Sequence, residues 1–198
     1  MLRNNFSSFV TVAIATGFAA LLLLPACSVN VQKEKNGQDK QVDIRTPVGG
    51  VHVSKGGDVS DIGLAVYPGA RLKEEDSGDD KSANVNISGF GYGIKVIAME
   101  YESDDTPAKV VSFYKDQLKK YGNVLQCRTS GLNLNMKIGS HGSKNDSNEL
   151  TCEGEYGSNV ELKVGRKDDQ HIVAVKTEGK GSSFSLVYVR THGKDADI

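Results

Sequence analysis

The chain has 198 residues, 24 of them basic and 25 acidic, for a formal net charge of −1. That balance argues against nucleic acid as a partner, since binding it rewards a strongly basic face; 38% hydrophobic residues and no tryptophan set a modest core. The 22 glycines suit a sheet-rich chain with frequent turns.

Met1-Leu2-Arg3 places a positive charge ahead of an apolar run from Phe9 to Leu24, and the small Ala26 sits directly before Cys27. A basic start, an apolar middle and a small-residue cleavage point make a secretory signal of residues 1–26. Leu24-Pro25-Ala26-Cys27 resembles the lipobox of bacterial lipoprotein precursors, in which an aliphatic, a variable and a small residue precede the cysteine. The resemblance implies that Cys27 becomes the first residue of the mature chain. It would carry diacylglycerol on sulfur and an acyl group such as palmitate on nitrogen, so that the protein contacts the membrane of the cell envelope through its lipid. An aspartate after that cysteine commonly signals inner-membrane retention in Gram-negative lipoproteins. Ser28 stands there, so the resemblance favours the outer membrane if the source is Gram-negative. Two alternatives stay open: a secretory signal cleaved elsewhere, leaving Cys27 a thiol, or an uncleaved membrane helix. The second is disfavoured because Val10–Leu24, interrupted by Thr11, Thr16 and Gly17, falls short of the about 20 apolar residues a spanning helix needs.

With Cys27 carrying lipid, Cys127 and Cys152 remain as a pair, and an envelope location is one where a disulfide persists. The alternatives are two separate buried thiols or a metal site, although neither cysteine has a histidine nearby in sequence.

Ser28–Gln41 is polar, with charges and amides from Lys33 to Lys40, and reads with Cys27 as a lipidated, flexible tether over residues 27–41. Within residues 42–61, valine and isoleucine alternate with polar residues on both sides of Pro47–Gly50, which predicts a hairpin followed by a loop. A lone hairpin is marginal in water, so it should dock on the rest of the chain or on a partner. Residues 62–192 form the main domain, followed by a polar tail, 193–198. Tyr67-Pro68-Gly69-Ala70 is a Pro-Gly turn, and the acidic cluster of Lys73–Lys81 lacks the ligand spacing of a calcium loop. Val85 and Ile87 lead into Gly89-Phe90-Gly91-Tyr92-Gly93. That run has neither the spacing nor the following helix of a phosphate loop and reads as a hairpin tip exposing Phe90 and Tyr92, with a strand from Ile94 to Tyr101 after it.

Asp104–Gly122 predicts a helix. Thr106 stands at the cap and Pro107 at the first position; Val110, Tyr114, Leu118 and Tyr121 form an apolar stripe, and Gly122 is the stop. Further strands are expected at Val124–Arg128, Leu132–Ile138, Leu150–Glu153, Val160–Val164, Ile172–Lys176 and Phe184–Arg190. The fold class that follows is α+β: a mainly antiparallel sheet with one long amphipathic helix packed on a face, preceded by the short hairpin. Tyr67–Ala70, Tyr101–Pro107 and Phe113-Tyr114, spanning residues 63–125, are similar to a strand–helix unit of uncharacterised bacterial envelope proteins, a resemblance that carries no activity.

His52, His141, His171 and His192 are scattered, with no ligand-like pairing, so neither a metal nor a cofactor is expected. No serine lies in a nucleophile elbow, and Glu100 and Glu102 fall on the polar side of their strand. Two classes of function stay open. The preferred one is a lipid-anchored, non-catalytic module that binds an envelope protein or polymer through a sheet face or through Phe90 and Tyr92. The alternative is a hydrolase-like envelope enzyme with a site assembled from separated strands.

Overall fold

Side chains at period two divide each strand between the two faces of the sheet, and the central strands bury apolar side chains on both. The computed structural model describes residues 27–33, 39–55, 58–74, 81–130, 148–152 and 157–192. Within them lie ten strands: β1 (Ser28–Lys33), β2 (Asp39–Thr46), β3 (Gly49–Ser54), β4 (Arg71–Leu72), β5 (Ser82–Gly89), β6 (Tyr92–Ser103), β7 (Leu125–Thr129), β8 (Asn159–Arg166), β9 (Asp169–Glu178) and β10 (Gly181–His192). They join in one sheet in the order β1-β2-β3-β5-β6-β10-β9-β8-β7, with β4 also on β6. Each of these pairings is antiparallel. One helix, α1 (Pro107–Leu118), packs on a face, so the chain is α+β.

Helical spacing places Val110, Tyr114 and Leu118 of α1 on one buried side. They meet Leu162 and Val164 of β8, Val173 and Val175 of β9, Phe184 and Leu186 of β10, and Ile97, Met99 and Tyr101 of β6. Ile62, Leu64 and Tyr67, from the segment leading to β4, close the core. Thr106 holds the cap position in extended conformation, but its side chain makes no capping hydrogen bond. Pro107 at the first position leaves one fewer N–H to satisfy there. The helix is shorter than the sequence pattern suggests: a 3-10 turn, Lys119–Tyr121, takes over before Gly122. Gly122 stops the chain at φ 133°, ψ −155°, outside the left-handed helical well and in a region open to glycine.

Three expectations are corrected or extended. Ser28–Lys33 is a strand where a tether was expected, with Val29 opposite Ile44 and Val31 opposite Val42. The two alternating valines suffice for pairing because β2 offers matching apolar partners. The hairpin β2–β3 docks on the rest of the chain through β3 and β5, in the register Val51 to Ile87 and Val53 to Val85. Leu150–Cys152, expected in a strand, is irregular. The expected strand Leu132–Ile138, Glu153, His141, the signal of residues 1–26 and the tail 193–198 lie outside the described residues.

Candidate functional site

The half of the sheet beyond the helix has two unlike faces. On the helix's side a polar row crosses it: Asn30, Asp43, His52, Asn86 and Lys95. There Asp43 accepts from Gln41 at 2.9 Å and pairs with the His52 ring at 2.7 Å. The His52 hydrogen bond holds the Asp43 carboxyl below its usual range. On the other side two apolar rows run across the strands. One is Val29, Ile44, Val51, Ile87 and Ile94; the other is Val31, Val42, Val53, Val85, Val96 and Val189. The second row runs into a second buried cluster of Ile172, Val187 and Val189, with Val96 and Ala98 packed against it.

Three features converge at one end of this sheet. Ser28 pairs with Arg45, so the chain enters β1 from Cys27 beside the β2–β3 turn. That turn, closed by the Thr46 hydroxyl donating to the Gly49 carbonyl at 2.8 Å, carries Val48. The β5–β6 turn lies alongside, and the Phe90 N–H donates to the Val48 carbonyl at 3.0 Å. Phe90 is 72% exposed, Val29 63%, Val48 55%, Ile87 and Tyr92 41%, and Val31 40%. These six are the exposed large hydrophobic residues among the described residues, and all lie toward this end. The two central residues of the tip both have positive φ, 53° at Phe90 and 80° at Gly91. Such turns normally take asparagine, aspartate or glycine, and an aromatic at that backbone angle costs about 1–2 kcal/mol. An exposed aromatic kept against local preference points to use.

The opposite end of the same face is polar. A cleft of about 250 Å³ is lined by Thr129, Ser130, Asn159, Lys176, Ser183 and Ser185, among others. Beside it the Glu100 Oε1 accepts from the Ser183 hydroxyl at 2.9 Å and from Lys176 at 3.2 Å, with Lys73 at 3.7 Å. Lys73 also donates to both Glu178 oxygens, at 2.6 and 2.7 Å. Burial works to raise the Glu100 carboxyl, but the Ser183 and Lys176 hydrogen bonds and the nearby cations outweigh it and hold the group low. Glu178 is held low by Lys73. A carboxylate committed to two lysines and a hydroxyl is an ion-pair clasp across β6, β9 and β10, poorly suited to moving protons near neutrality. Glu102, on the same face, pairs with Arg71 at 3.2 Å.

Both clasp carboxyls titrate lower in the folded chain than their ordinary 4.5, so their stabilisation is complete above that value. It is lost as pH falls through the depressed folded values. Thermal unfolding midpoints are therefore expected to drop steadily below about pH 4.5. Asp104 beside Arg71 and Asp105 beside Lys109 act in the same direction, so the share of Glu100 is read from a Glu100→Gln variant, whose midpoint should depend less on acid. An unchanged slope in that variant would count against the clasp.

The remaining sequence-derived candidates are dispersed. His171 stacks on Tyr121 at 3.9 Å between centroids and near Tyr188 at 4.9 Å, and burial pushes its pKa down. The His192 ring lies over Gly93, so close that a Cβ at Gly93 would meet it. Among the described residues no group of three or more metal-ligating side chains gathers, and no helix is long and apolar enough to cross a membrane. Cys127 and Cys152 are bonded, with S–S 2.02 Å and Cα atoms 5.4 Å apart, while Cys27 is exposed and unbridged. Phe90 and Tyr92 sit exposed at their tip as their sequence suggests. Their companions Val29, Val31, Val48 and Ile87 escaped sequence reasoning, although the alternation at Val29 and Val31 was a usable signal. Comparison with family models, with curated proteins and with solved structures finds no match to this chain.

Proposed function

We propose that this protein is a lipid-anchored component of the cell envelope whose sheet serves as a non-catalytic contact module. The observation that carries the reading is the gathering of exposed apolar side chains at the end of the sheet where the chain leaves Cys27. The lipobox-like Leu24-Pro25-Ala26-Cys27 would put acyl chains at that point, and two or more chains hold a protein on a bilayer where a single one binds marginally. The Cys127–Cys152 bond fits export, because such bonds persist in oxidising compartments. Ser28 after the cysteine favours the outer membrane in a Gram-negative cell. The hydrolase-like alternative would draw on Glu100, Ser183 and the adjoining cleft. The low-titrating, doubly paired Glu100 is a weak base for activating that hydroxyl.

Growth with radiolabelled palmitate, followed by mass measurement of the mature amino terminus, tests the reading. The expected result is label in a chain beginning at acylated Cys27, and loss of label in a Cys27→Ala variant. A mature chain that begins elsewhere and takes up no label refutes it.

A further inference from the structure

We infer that the apolar end of the sheet rests in the lipid interface itself, with Phe90, Tyr92, Val48 and Val29 in contact with the bilayer. The inference rests on the reading of Cys27 as the anchor and adds what the contact surface touches and which way the domain stands. Slack decides the first step. β1 begins at Ser28, and one extended residue reaches only about 3.3–3.6 Å. A lipid on Cys27 therefore holds this end of the sheet at the headgroup layer, where a free tether would have let the domain turn either way.

Position decides the second. From β1 to β5 is three strand steps, about 15 Å at the usual spacing, so the anchor and the Phe90 tip can meet one membrane plane. Composition agrees. Aromatic side chains favour the membrane–water boundary, the tyrosine hydroxyl remaining wet, and Val29 and Val48 extend the apolar contact between anchor and tip. Arg45, opposite Ser28 in the register, supplies a cation at the level of the headgroups. The positive-φ backbone at Phe90 is the cost of presenting that ring. A second protein on this patch would have to displace lipid that the anchor already places there.

The chain contains no tryptophan, so Phe90→Trp makes a single fluorescent reporter. Acylated Phe90→Trp protein would be reconstituted in phosphatidylethanolamine–phosphatidylglycerol vesicles with part of the lipid brominated in its acyl chains. Blue-shifted emission and strong bromine quenching are expected. Lys180→Trp, in the turn before β10 at the far end of the sheet, should emit as a wet indole and stay unquenched. In a second arm, an unacylated Cys27→Ser chain starting at residue 27 is expected to bind the same vesicles weakly. Phe90→Asn, which suits the turn, should weaken that binding about tenfold or more. Equal quenching at positions 90 and 180 overturns the inference. So does an indole at position 90 that is shielded but unquenched by bromine, which would mean a protein occupant or a second copy. Mass measurement on the same preparation keeps the two readings apart: missing acyl groups refute the anchor, whereas an acylated chain with a wet indole at position 90 refutes only the orientation.

Discussion

Tyr114→Ala is expected to cost about 3–5 kcal/mol of stability, the range for deleting a buried aromatic ring. Tyr114 is fully buried at the middle of α1, with its ring 5.4 Å from Phe184 and 5.1 Å from Phe113 between centroids. Phe184 in turn stacks on Tyr101 at 5.6 Å, so the cavity would open in the aromatic centre of the core, where neighbouring rings cannot readily collapse into it. The hydroxyl has a separate role. It accepts from the Tyr67 N–H at 3.0 Å and so pins the chain just before the Pro68-Gly69 turn. Burial pushes the phenol pKa well up, which keeps it neutral at any working pH. Tyr114→Phe keeps the ring and leaves a buried N–H without its acceptor, an expected loss of about 1–3 kcal/mol. Urea unfolding of the two variants separates packing from hydrogen bonding. An alanine variant no worse than the phenylalanine one would mean that the ring's packing is dispensable.

The helix was legible because Val110, Tyr114 and Leu118 repeat at a period no strand would use, and Pro107 and Gly122 mark its limits. Its final turn was not, since the tightening at Lys119–Tyr121 leaves no trace in apolar spacing. β5, with Ala83, Val85 and Ile87 alternating, and β10, with its apolar run Leu186–Val189, were legible one by one. Their order was not. β10 brings Val189 beside Val96 and Ser183 beside Glu102, across about eighty to ninety residues of chain, and no local pattern encodes such a pairing. The same limit hid the clasp, because Lys73, Glu100, Lys176, Glu178 and Ser183 meet only after β6, β9 and β10 have paired. β1 was hidden for a different reason: the charges that follow Val31 outweigh two valines in any compositional reading, whereas pairing asks only that Val29 and Val31 share a face. Phe90 and Tyr92 stood out as a tip. That the tip lies at the end nearest Cys27 follows from four successive strand registers and from nothing shorter.

Removing the Cys127–Cys152 bond should be the other large perturbation. The bridge closes a loop with a sequence separation of 25, for which the chain-entropy relation gives about 3.5 kcal/mol through restriction of the unfolded chain. For a domain of this size that corresponds to roughly 10 °C in unfolding midpoint. The placement suggests why the fold needs it. Cys127 is buried on β7, which among the described residues ends the sheet and pairs with β8 alone, and Cys152 lies in the irregular stretch 148–152. Besides the bridge, the Lys167 N–H donates to the Asn148 carbonyl at 3.1 Å and also ties that stretch down. Cys127→Ser and Cys152→Ser remove the same bond, so the singles and the double should lose similar amounts, and reductant should lower the wild-type midpoint by the same margin while leaving the variants unmoved. A midpoint indifferent to reductant would mean that β7 is held by its pairing with β8. Reductant-dependent loss would also tie stability to redox conditions: the chain would keep its full stability only where the bond persists.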